Sequence, residues 1–158
     1  MSANEILPNI WLGDHVAAKN KHFLQKMNIR LVVNCTKDIP FSPHLSSKCT
    51  KVRVPVHDNL DPAEIKKLSD WGPRVVSIIW EHYKHGHPIF IHCYAGVQRS
   101  AAVLAMFLIF FLRCSADDSI RRIRQRREIA FQPRANFLQA IYKFESDLGE
   151  EIRNTLTL

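Results

Sequence analysis

The fold is decided by one nine-residue stretch, His92-Cys93-Tyr94-Ala95-Gly96-Val97-Gln98-Arg99-Ser100. The apolar residues 88–91 before it predict a short buried strand, and residues 101–112 after it are apolar helix formers. The stretch is therefore a loop between a strand and the N-terminus of a helix. Unpaired backbone N–H groups and the helix dipole make such a loop a binding site for anions.

The side chains of this loop add chemistry to the anion site. Cys93 lies where the field of a helix N-terminus stabilises a thiolate, so we expect a nucleophile there. Arg99 can curl back over the loop and offer two parallel N–H donors to phosphate oxygens. Gly96 permits backbone conformations that aim successive amides inward, and Ser100 can donate a hydrogen bond to the sulfur. The loop thus predicts a phosphate-binding site that contains a nucleophile.

Two other interpretations of these residues are weaker. A Cys-x5-Arg pair can arise by chance, as a buried cysteine near a surface arginine, but the strand, the glycine and the apolar helix argue against chance here. A metal site is the second alternative, because His85, His87, His92 and Cys93 lie close in sequence. Their spacing does not match the common zinc patterns, and strand alternation points His92 and Cys93 to opposite faces. We predict no metal and expect His92 to orient the loop from behind.

The stretch resembles the Cys-x5-Arg-Ser/Thr signature of protein tyrosine phosphatases, and its internal Ala-Gly with Arg-Ser-Ala at the end is similar to the dual-specificity branch. Residues 6–13, 31–36 and 51–59 resemble the first strand, the second strand and the strand before the acid loop of that family. The resemblance covers nearly all of the 158 residues. It implies one catalytic domain over residues 1–158 that hydrolyses phosphotyrosine, phosphoserine and phosphothreonine in proteins through a phospho-cysteine, with no cofactor.

Cleavage of a phosphate ester also needs a proton for the departing oxygen, and two aspartates compete for that role. Asp61 has a structural explanation, since Asp61-Pro62-Ala63-Glu64 has the pattern of a helix N-cap, a first-turn proline and a capping-box glutamate. Asp58 has no such explanation, and it follows an apolar strand where the family keeps its acid. We therefore predict Asp58 as the general acid.

The resemblance assigns roles to further residues of the chain. Catalysis falls to Cys93, Arg99, Asp58 and Ser100, and substrate binding to the loop residues Tyr94, Ala95, Gly96, Val97, Gln98 and Arg99. Tyr94 and Gln98 are unusual at their positions, and we expect their side chains to shape the rim. Many members have an asparagine that braces the loop where this chain has Arg134. Asn136 then takes over the bracing, or Arg134 reaches the substrate.

Strand and helix patterns alternate along the chain, which predicts an α/β fold: a mostly parallel central sheet of about four to five strands flanked by helices, like that of protein tyrosine phosphatases. We predict strands at residues 10–12, 31–34, 52–56 and 89–92. We predict helices at residues 16–27, 62–83, 101–112, 116–127 and 136–148, with Ser115 as an N-cap. Gly72-Pro73 is a place where the second of these helices could break. Cys93 and Asp58 then fall beyond the C-terminal strand ends, where such sheets bind ligands.

Composition narrows the class of protein. The formal charge of +7 favours anionic partners, and 46% hydrophobic with 23% charged residues is ordinary for a globular domain. The basic residues 121–127 could bind nucleic acid, but helical spacing of Ile120 and Ile123 favours a solvated face paired with Asp117, Asp118 and Glu128. We therefore expect phosphorylated protein substrates, no nucleic-acid or membrane partner, and a monomer.

Neither end of the chain carries a targeting signal that we recognise. Residues 1–5 lack the pattern of a signal peptide, and the C-terminus shows no prenylation cysteine. A reactive thiol, together with Cys35, Cys49 and Cys114 at no framework spacing, favours a reducing compartment. We expect a cytoplasmic protein that can enter the nucleus by its size.

Two functional alternatives stay open. The same chemistry could act on a phosphoinositide or on the 5′-triphosphate end of RNA, although the loop lacks the lysines typical of inositide phosphatases. A non-catalytic phosphate-binding module is the other alternative. Such modules usually lose the nucleophile, the arginine or the acid, and this chain has all of them.

Overall fold

The computed structural model describes residues 1–156, and its centre is one sheet of five strands: β1 (Ala3–Leu7), β2 (Ile10–Gly13), β3 (Leu31–Asn34), β4 (Thr50–Arg53) and β5 (Ile89–His92). The order across the sheet is β1-β2-β5-β3-β4. Only the β1–β2 pair is antiparallel, while β5 runs parallel to both β2 and β3, and β3 runs parallel to β4. The predicted α/β fold with a mostly parallel sheet is confirmed.

The described residues contain six helices: α1 (His15–Lys19), α2 (Lys21–Lys26), α3 (Pro62–Tyr83), α4 (Arg99–Leu112), α5 (Ala116–Arg126) and α6 (Leu138–Leu156). They cover both faces of the sheet. Leu31, Val33 and Ile91 belong to the core shared with α3 and α4, whereas Val32 and Phe90 belong to the core shared with α2. Alternation along the strands therefore sends successive side chains into two separate layers.

The helix α4 is the centre of the larger core. All residues from Ser100 to Ile109 are buried, which fits a sequence that is apolar on every side. The helix packs against α3, α5, α6 and the sheet. Because β5 is also buried along its whole length, the loop between β5 and α4 is anchored at both ends by packed core. The N-terminus of α4 begins at Arg99, two residues earlier than predicted.

Two of the predicted helices differ from those in the structure. The predicted helix 16–27 is divided at Asn20, whose N–H donates to Ala17 at the end of α1 and whose side chain accepts from Phe23 N at the start of α2. Asparagine favours such capping positions over helix interiors. A break at Gly72-Pro73 does not occur, because α3 runs through Pro73. A side chain at Gly72 would press on Met106 and Phe144, so close helix packing holds this segment helical.

Other elements are displaced along the chain. The strand predicted at residues 52–56 is Thr50–Arg53, because its register is set by pairing with Leu31–Asn34. The helix predicted at 136–148 is Leu138–Leu156. The strand β1 was not predicted, and it pairs at the sheet edge with β2. The N-cap of α5 is confirmed, since Ser115 Oγ accepts from Asp118 N at 3.0 Å.

No single helix within residues 1–156 has both the length and the apolar composition to span a bilayer. The pair α4 and α5, bent by 116°, meets that criterion by length and composition only.

The start of α3 positions the segment that leads to Asp58. Asp61 is the N-cap, as predicted, and its carboxylate accepts from Ala63 N at 2.9 Å. Glu64 does not close a capping box, because its Oε1 accepts instead from His57 N at 3.1 Å. Its carboxylate also pairs with Lys37 and Lys67, both at 2.9 Å. Hydrogen bonds from Lys67 and then Lys37 lower the pKa of Glu64 to about 2. This carboxylate ties the segment before Asp58 to α3.

We predict that Glu64→Gln weakens the fold at neutral pH but not in acid. The folded-state pKa of about 2 lies below the ordinary 4.5, so ionised Glu64 stabilises the fold fully above pH 4.5 and progressively less towards pH 2. Glutamine can still accept from His57 N but cannot pair with either lysine. Urea unfolding should show a lower midpoint for the variant at pH 7, with the difference shrinking as the pH falls below 4.5.

The exposed Glu150 of α6 supplies the matched control. Glu150→Gln should unfold at the wild-type midpoint at neutral and acid pH alike. A constant difference between Glu64→Gln and wild type from pH 7 to pH 3 would contradict the role assigned to the Glu64 charge.

Candidate active site

The backbone of the loop between β5 and α4 is held by hydrogen bonds to its carbonyl groups. Tyr94 O accepts from the backbone N–H of His15 at 2.9 Å, and Val97 O accepts from Phe131 N at 2.8 Å. Two further carbonyls, of Ala95 and Gly96, accept from the Arg127 guanidinium at 3.1 and 2.8 Å. Four consecutive carbonyls are therefore bonded to groups outside the loop.

This arrangement fixes where the amides of the loop point. In a planar trans peptide, the N–H of each residue points away from the carbonyl of the residue before it. Since the carbonyls of residues 94–97 bond outward, the N–H groups of Ala95, Gly96, Val97 and Gln98 face the opposite side, the concavity of the loop. Gly96 makes the turn possible with φ of 68°, and a Cβ there would also collide with the Gly13 backbone.

Cys93 lies at the base of this concavity. Its side chain is 2% exposed, and its Sγ lies 3.1 Å from Ser100 Oγ, which is also buried. The neighbouring strand ends beside it, where Cys35 N donates to His92 O at 2.8 Å. Burial, and next the charge of Cys93, raise the pKa of the Cys35 thiol well above its ordinary value. Cys35 is therefore a neutral neighbour of Cys93.

Arg99 reaches from the first turn of α4 across the loop. Its Nη1 donates to Val56 O at 2.9 Å, on the segment that follows β4. Within residues 1–156, its buried Nε has no hydrogen-bond partner. The guanidinium is thus held in place at one nitrogen while other N–H groups remain for an oxyanion. The same contact joins the loop to the segment that carries Asp58.

A cleft of about 510 Å³ opens over these groups. Polar and charged side chains supply most of its lining, which consists of Thr36, Asp38, Ile39, His57, Asp58, Asn59, Tyr94 and Arg99. The exposed Asp58 carboxylate accepts from Asn136 Nδ2 at 2.9 Å. Asp61 caps α3 and does not line this cleft. The structure therefore brings Asp58, and not Asp61, to the cleft that holds Arg99.

The interpretation of Gln98 as a rim residue is wrong for its side chain, which is only 5% exposed. Gln98 Nε2 donates to the carbonyls of Gln132 and Arg134 at 3.0 and 2.8 Å, and its Oε1 accepts from Asn136 N at 2.9 Å. Gln98 itself ties the loop to residues 132–136. The bracing expected of Asn136 comes from its backbone, while its side chain holds Asp58.

His92 contacts the loop from the side opposite Cys93. Its Nδ1–H donates to the carbonyl of Cys93 at 3.1 Å, and its ring stacks on Phe90. Burial lowers the pKa of His92 to about 4, so the ring is neutral at pH 7. This geometry agrees with an orienting contact from behind the loop. The role itself stays a prediction, as do the catalytic roles of Cys93, Arg99, Asp58 and Ser100.

Arg127 is the site residue that sequence reasoning missed, because it was grouped with a solvated basic face. That interpretation holds for Arg121 and Arg122, which pair with Asp118, but Arg127 is only 2% exposed. Besides the two loop carbonyls, its Nη1 donates to Ser2 Oγ and Asn4 Oδ1, both at 2.8 Å. The helix α5 ends at Arg126, one residue before the predicted end, and Arg127 is its C-cap. The position of Arg127 at the end of the predicted helix was the available signal.

The charge of Arg127 also acts on the site. Burial lowers the pKa of Arg127, whereas the negative charges of Asp14 and Cys93 favour its cationic form. The buried cation of Arg127 therefore interacts electrostatically with Cys93. Arg99 and Arg127 therefore act on the loop from two different elements.

The histidines considered as metal ligands do not meet at one point. His85 Nδ1 bonds to Glu81 O at 2.7 Å, His87 contacts His82 with Nδ1 atoms 3.1 Å apart, and His92 bonds to the loop. Among residues 1–156, no group of three or more His, Cys, Asp or Glu side chains is placed to hold a metal ion.

We predict that Arg127→Met weakens both the fold and oxyanion binding. The change leaves buried carbonyls of the loop without donors, which should lower the free energy of unfolding by about 2–4 kcal/mol. The loop amides then lose their fixed direction, so tungstate should bind more weakly in titration calorimetry. Arg124→Met, an exposed change on α5, is the control. Equal effects of the two changes on stability and tungstate binding would contradict this prediction.

Comparisons with known proteins agree with this geometry. A family model described as the dual specificity phosphatase catalytic domain matches residues 10–147. The chain is 31% identical over 146 residues to human dual specificity protein phosphatase 1, covering 91% of this chain and 37% of that protein. It is 27% identical over 143 residues to the tyrosine-protein phosphatase vhp-1 of Caenorhabditis elegans, covering 90% of this chain and 21% of that protein. The chain thus spans well under half the length of these curated relatives.

Solved structures show the same fold. A crystal structure of human DUSP28 superposes with a TM-score of 0.81 at 21% identity, covering 93% of this chain and 95% of that one. A mouse dual specificity phosphatase complexed with zinc tungstate superposes with a TM-score of 0.81 at 23% identity, covering 95% and 90%. Since the family model covers most of the sequence and includes every element that builds the loop, the chain belongs to the dual specificity phosphatase catalytic domain family.

Proposed function

We propose that this chain hydrolyses phosphotyrosine and phosphoserine or phosphothreonine in proteins through a covalent phospho-cysteine. The observation that carries the proposal is the orientation of the loop: four consecutive carbonyls are bonded outward, and a buried Cys93 lies beneath the amides that this orientation turns inward. Membership of a protein phosphatase family supports the same activity. No cofactor enters the scheme.

In the first step, the thiolate of Cys93 attacks phosphorus in line with the ester oxygen. The S–P bond forms as the P–O bond breaks, and Asp58 gives its proton to the departing alcohol or phenol. The hydrogen bond from Asn136 Nδ2 to Asp58 Oδ1 holds the carboxyl group in position and leaves its other oxygen to carry the proton. The amides of residues 95–98 and Arg99 stabilise the charge that develops on the phosphoryl oxygens.

In the second step, water replaces the cysteine. The Asp58 carboxylate takes a proton from the water, the new P–O bond forms, and the P–S bond breaks to release phosphate and the Cys93 thiolate. Ser100 Oγ, 3.1 Å from the sulfur, can donate a hydrogen bond to that leaving thiolate. Arg127 holds the loop carbonyls of Ala95 and Gly96 in the same orientation through this step. The departure of the sulfur is therefore assisted by side chains that the fold already holds next to it.

The charge of the cleft lining supports a protein substrate that presents one phosphate. The described lining contains one arginine, Arg99, and no lysine, whereas a phosphoinositide or an RNA 5′-triphosphate carries several phosphates that need more cations. The chain retains the nucleophile, the arginine and the acid, which favours an enzyme over a non-catalytic phosphate-binding module. The names of the relatives, tyrosine-protein phosphatase and dual specificity protein phosphatase, support the same choice.

A reducing compartment suits this chemistry. All four cysteines, Cys35, Cys49, Cys93 and Cys114, are free in the structure. We therefore propose that the chain acts in the cytoplasm, with access to the nucleus.

We predict that Cys93→Ser abolishes hydrolysis while the site still binds oxyanions. A serine hydroxyl is far less ionised than a thiol, so the attack on phosphorus should fall below detection. Wild type and variant are compared on phosphotyrosine and phosphothreonine peptides, an inositide phosphate and triphosphorylated RNA, with and without a metal chelator. Tungstate binding to the variant shows that the loop is intact.

Cys49→Ser, away from the loop, is the matched control and should retain wild-type rates. Hydrolysis by Cys93→Ser would refute the assigned nucleophile, and loss of wild-type activity in chelator would refute the metal-free scheme. Wild-type activity confined to the RNA or the inositide would refute the protein substrate.

We predict that Asp58→Asn slows hydrolysis according to the leaving group. Loss of a general acid costs about 10²- to 10⁴-fold, and an alkyl ester needs the proton more than a phenyl ester does. The kcat for a phosphothreonine peptide should therefore fall further than that for para-nitrophenyl phosphate, and the acid-dependent part of the pH profile should flatten. Asp61→Asn keeps an N-cap residue and serves as the control. If Asp61→Asn produces these changes instead, the assignment of Asp58 is wrong.

A further inference from the structure

An aromatic pair stands at the rim of the cleft and has no part in the chemistry proposed above. The ring of Tyr94 stacks on the imidazole of His15, with centroids 4.2 Å apart and planes within 10°. Tyr94 directly follows the buried Cys93, yet its side chain is 59% exposed. A large ring left exposed one residue from the nucleophile lies where a substrate must pass.

Hydrogen bonds hold the backbone of this pair, and stacking holds its rings. The carbonyl of Tyr94 accepts two hydrogen bonds from His15, one from the backbone N–H and one from Nδ1, each at 2.9 Å. His15 is the first residue of α1, whose N-cap Asp14 accepts from Ala17 N. The imidazole therefore covers one face of the Tyr94 ring and limits its rotation. A held ring loses little conformational entropy when a second group packs against it.

The rest of the lining offers no comparable surface. Among the described residues that line the cleft, Tyr94 carries the only phenyl ring, and Ile39 is the only aliphatic side chain. The remaining lining residues are polar or charged. Selection for an apolar, planar substrate group therefore depends on Tyr94 more than on any other described residue of the cleft.

Phosphotyrosine and phosphothreonine differ in the group that they place at the rim of the cleft. With phosphate in the loop, the phenyl ring of a phosphotyrosine extends toward the rim, whereas phosphothreonine places only a methyl group and its own backbone near the phosphate. Offset or edge-to-face packing of aromatic rings gives an attraction beyond the area that they bury. A ring at the rim can therefore distinguish the two esters without changing how the phosphate is held.

We propose that the stacked pair His15–Tyr94 is a specificity-determining shelf that makes this site prefer phosphotyrosine over phosphothreonine. Tyr94 supplies the surface that contacts the substrate ring, and His15 is a positioning residue that holds it. The inference rests on the proposed function, because it concerns which ester the same site accepts. It requires no change in the roles of Cys93, Arg99 or Asp58.

The test compares kcat/KM for two peptides of one sequence that carry either phosphotyrosine or phosphothreonine. Tyr94→Ala should lower the phosphotyrosine-to-phosphothreonine ratio about three- to tenfold, mainly through KM for the phosphotyrosine peptide. Tyr94→Phe retains the ring and should retain the ratio. His15→Ala should lower the ratio by a smaller factor, and His15→Phe, which restores a stacking ring, should recover part of it.

Binding to Cys93→Ser provides a second measurement that needs no turnover. The phosphotyrosine peptide should bind more tightly than the phosphothreonine peptide, and adding Tyr94→Ala should remove most of the difference. Tungstate binding by the same double variant shows that the loop is intact. If Tyr94→Ala leaves the phosphotyrosine-to-phosphothreonine ratio of kcat/KM unchanged, or lowers kcat/KM equally for both peptides, the specificity role of the pair is wrong. The proposed function would still hold.

The proposed function fails in a different way. It fails if the wild type hydrolyses neither peptide. In that case the binding comparison with Cys93→Ser alone tests whether the pair selects phosphotyrosine. If Tyr94→Ala weakens the binding of triphosphorylated RNA but of neither peptide, the ring stacks on a base and the inference about phosphotyrosine is wrong.

Discussion

The site depends on hydrogen bonds that hold the carbonyl groups of one loop away from its concavity. A strand-to-helix turn can satisfy its carbonyls in many ways, and only one orientation of the peptides aims successive amides at a common point. Here the donors come from α1, from the segment after α5 and, through Arg127, from a side chain that also bonds to the N-terminal residues. Because each peptide is rigid, fixing the carbonyls fixes the amides, and oxyanion binding requires no rearrangement of the loop.

The sheet explains why these donors are available at this place. The strand β5 lies between β2 and β3, so the end of β5 is flanked by the ends of two parallel neighbours and by α1, which follows β2 directly. Because Gly96 has no Cβ, the loop can approach the Gly13 backbone at the end of β2 closely. On the other side, Arg99 bonds to Val56 beyond β4 and so fixes the distance to the segment that carries Asp58. The packed core thereby holds the loop that carries Cys93 next to the segment that carries Asp58.

The charges around Cys93 are also set by contacts between distant segments. A neutral His92 and a neutral Cys35 lie beside Cys93, so neither adds a charge next to the sulfur. The cations are Arg99, above the loop, and Arg127, behind it. Glu64 is paired with Lys37 and Lys67 beside the acid segment, where it accepts from a backbone amide. The paired glutamate thus positions the neighbouring segment, which carries Asp58 into the cleft.

The sequence by itself determined the sheet class, the strand at residues 89–92, the loop with its thiol and guanidinium, and the N-cap at Asp61, because each is a local pattern of residue types with a local physical cause. Tertiary structure alone decided that α3 passes through Pro73, that Gln98 faces inward, and that Arg127 serves the loop 31 residues away. It also stacked Tyr94 on His15, 79 residues apart in sequence. Burial and hydrogen-bond partners of this kind depend on which distant segments meet, and the pattern of neighbouring residues carries no information about that.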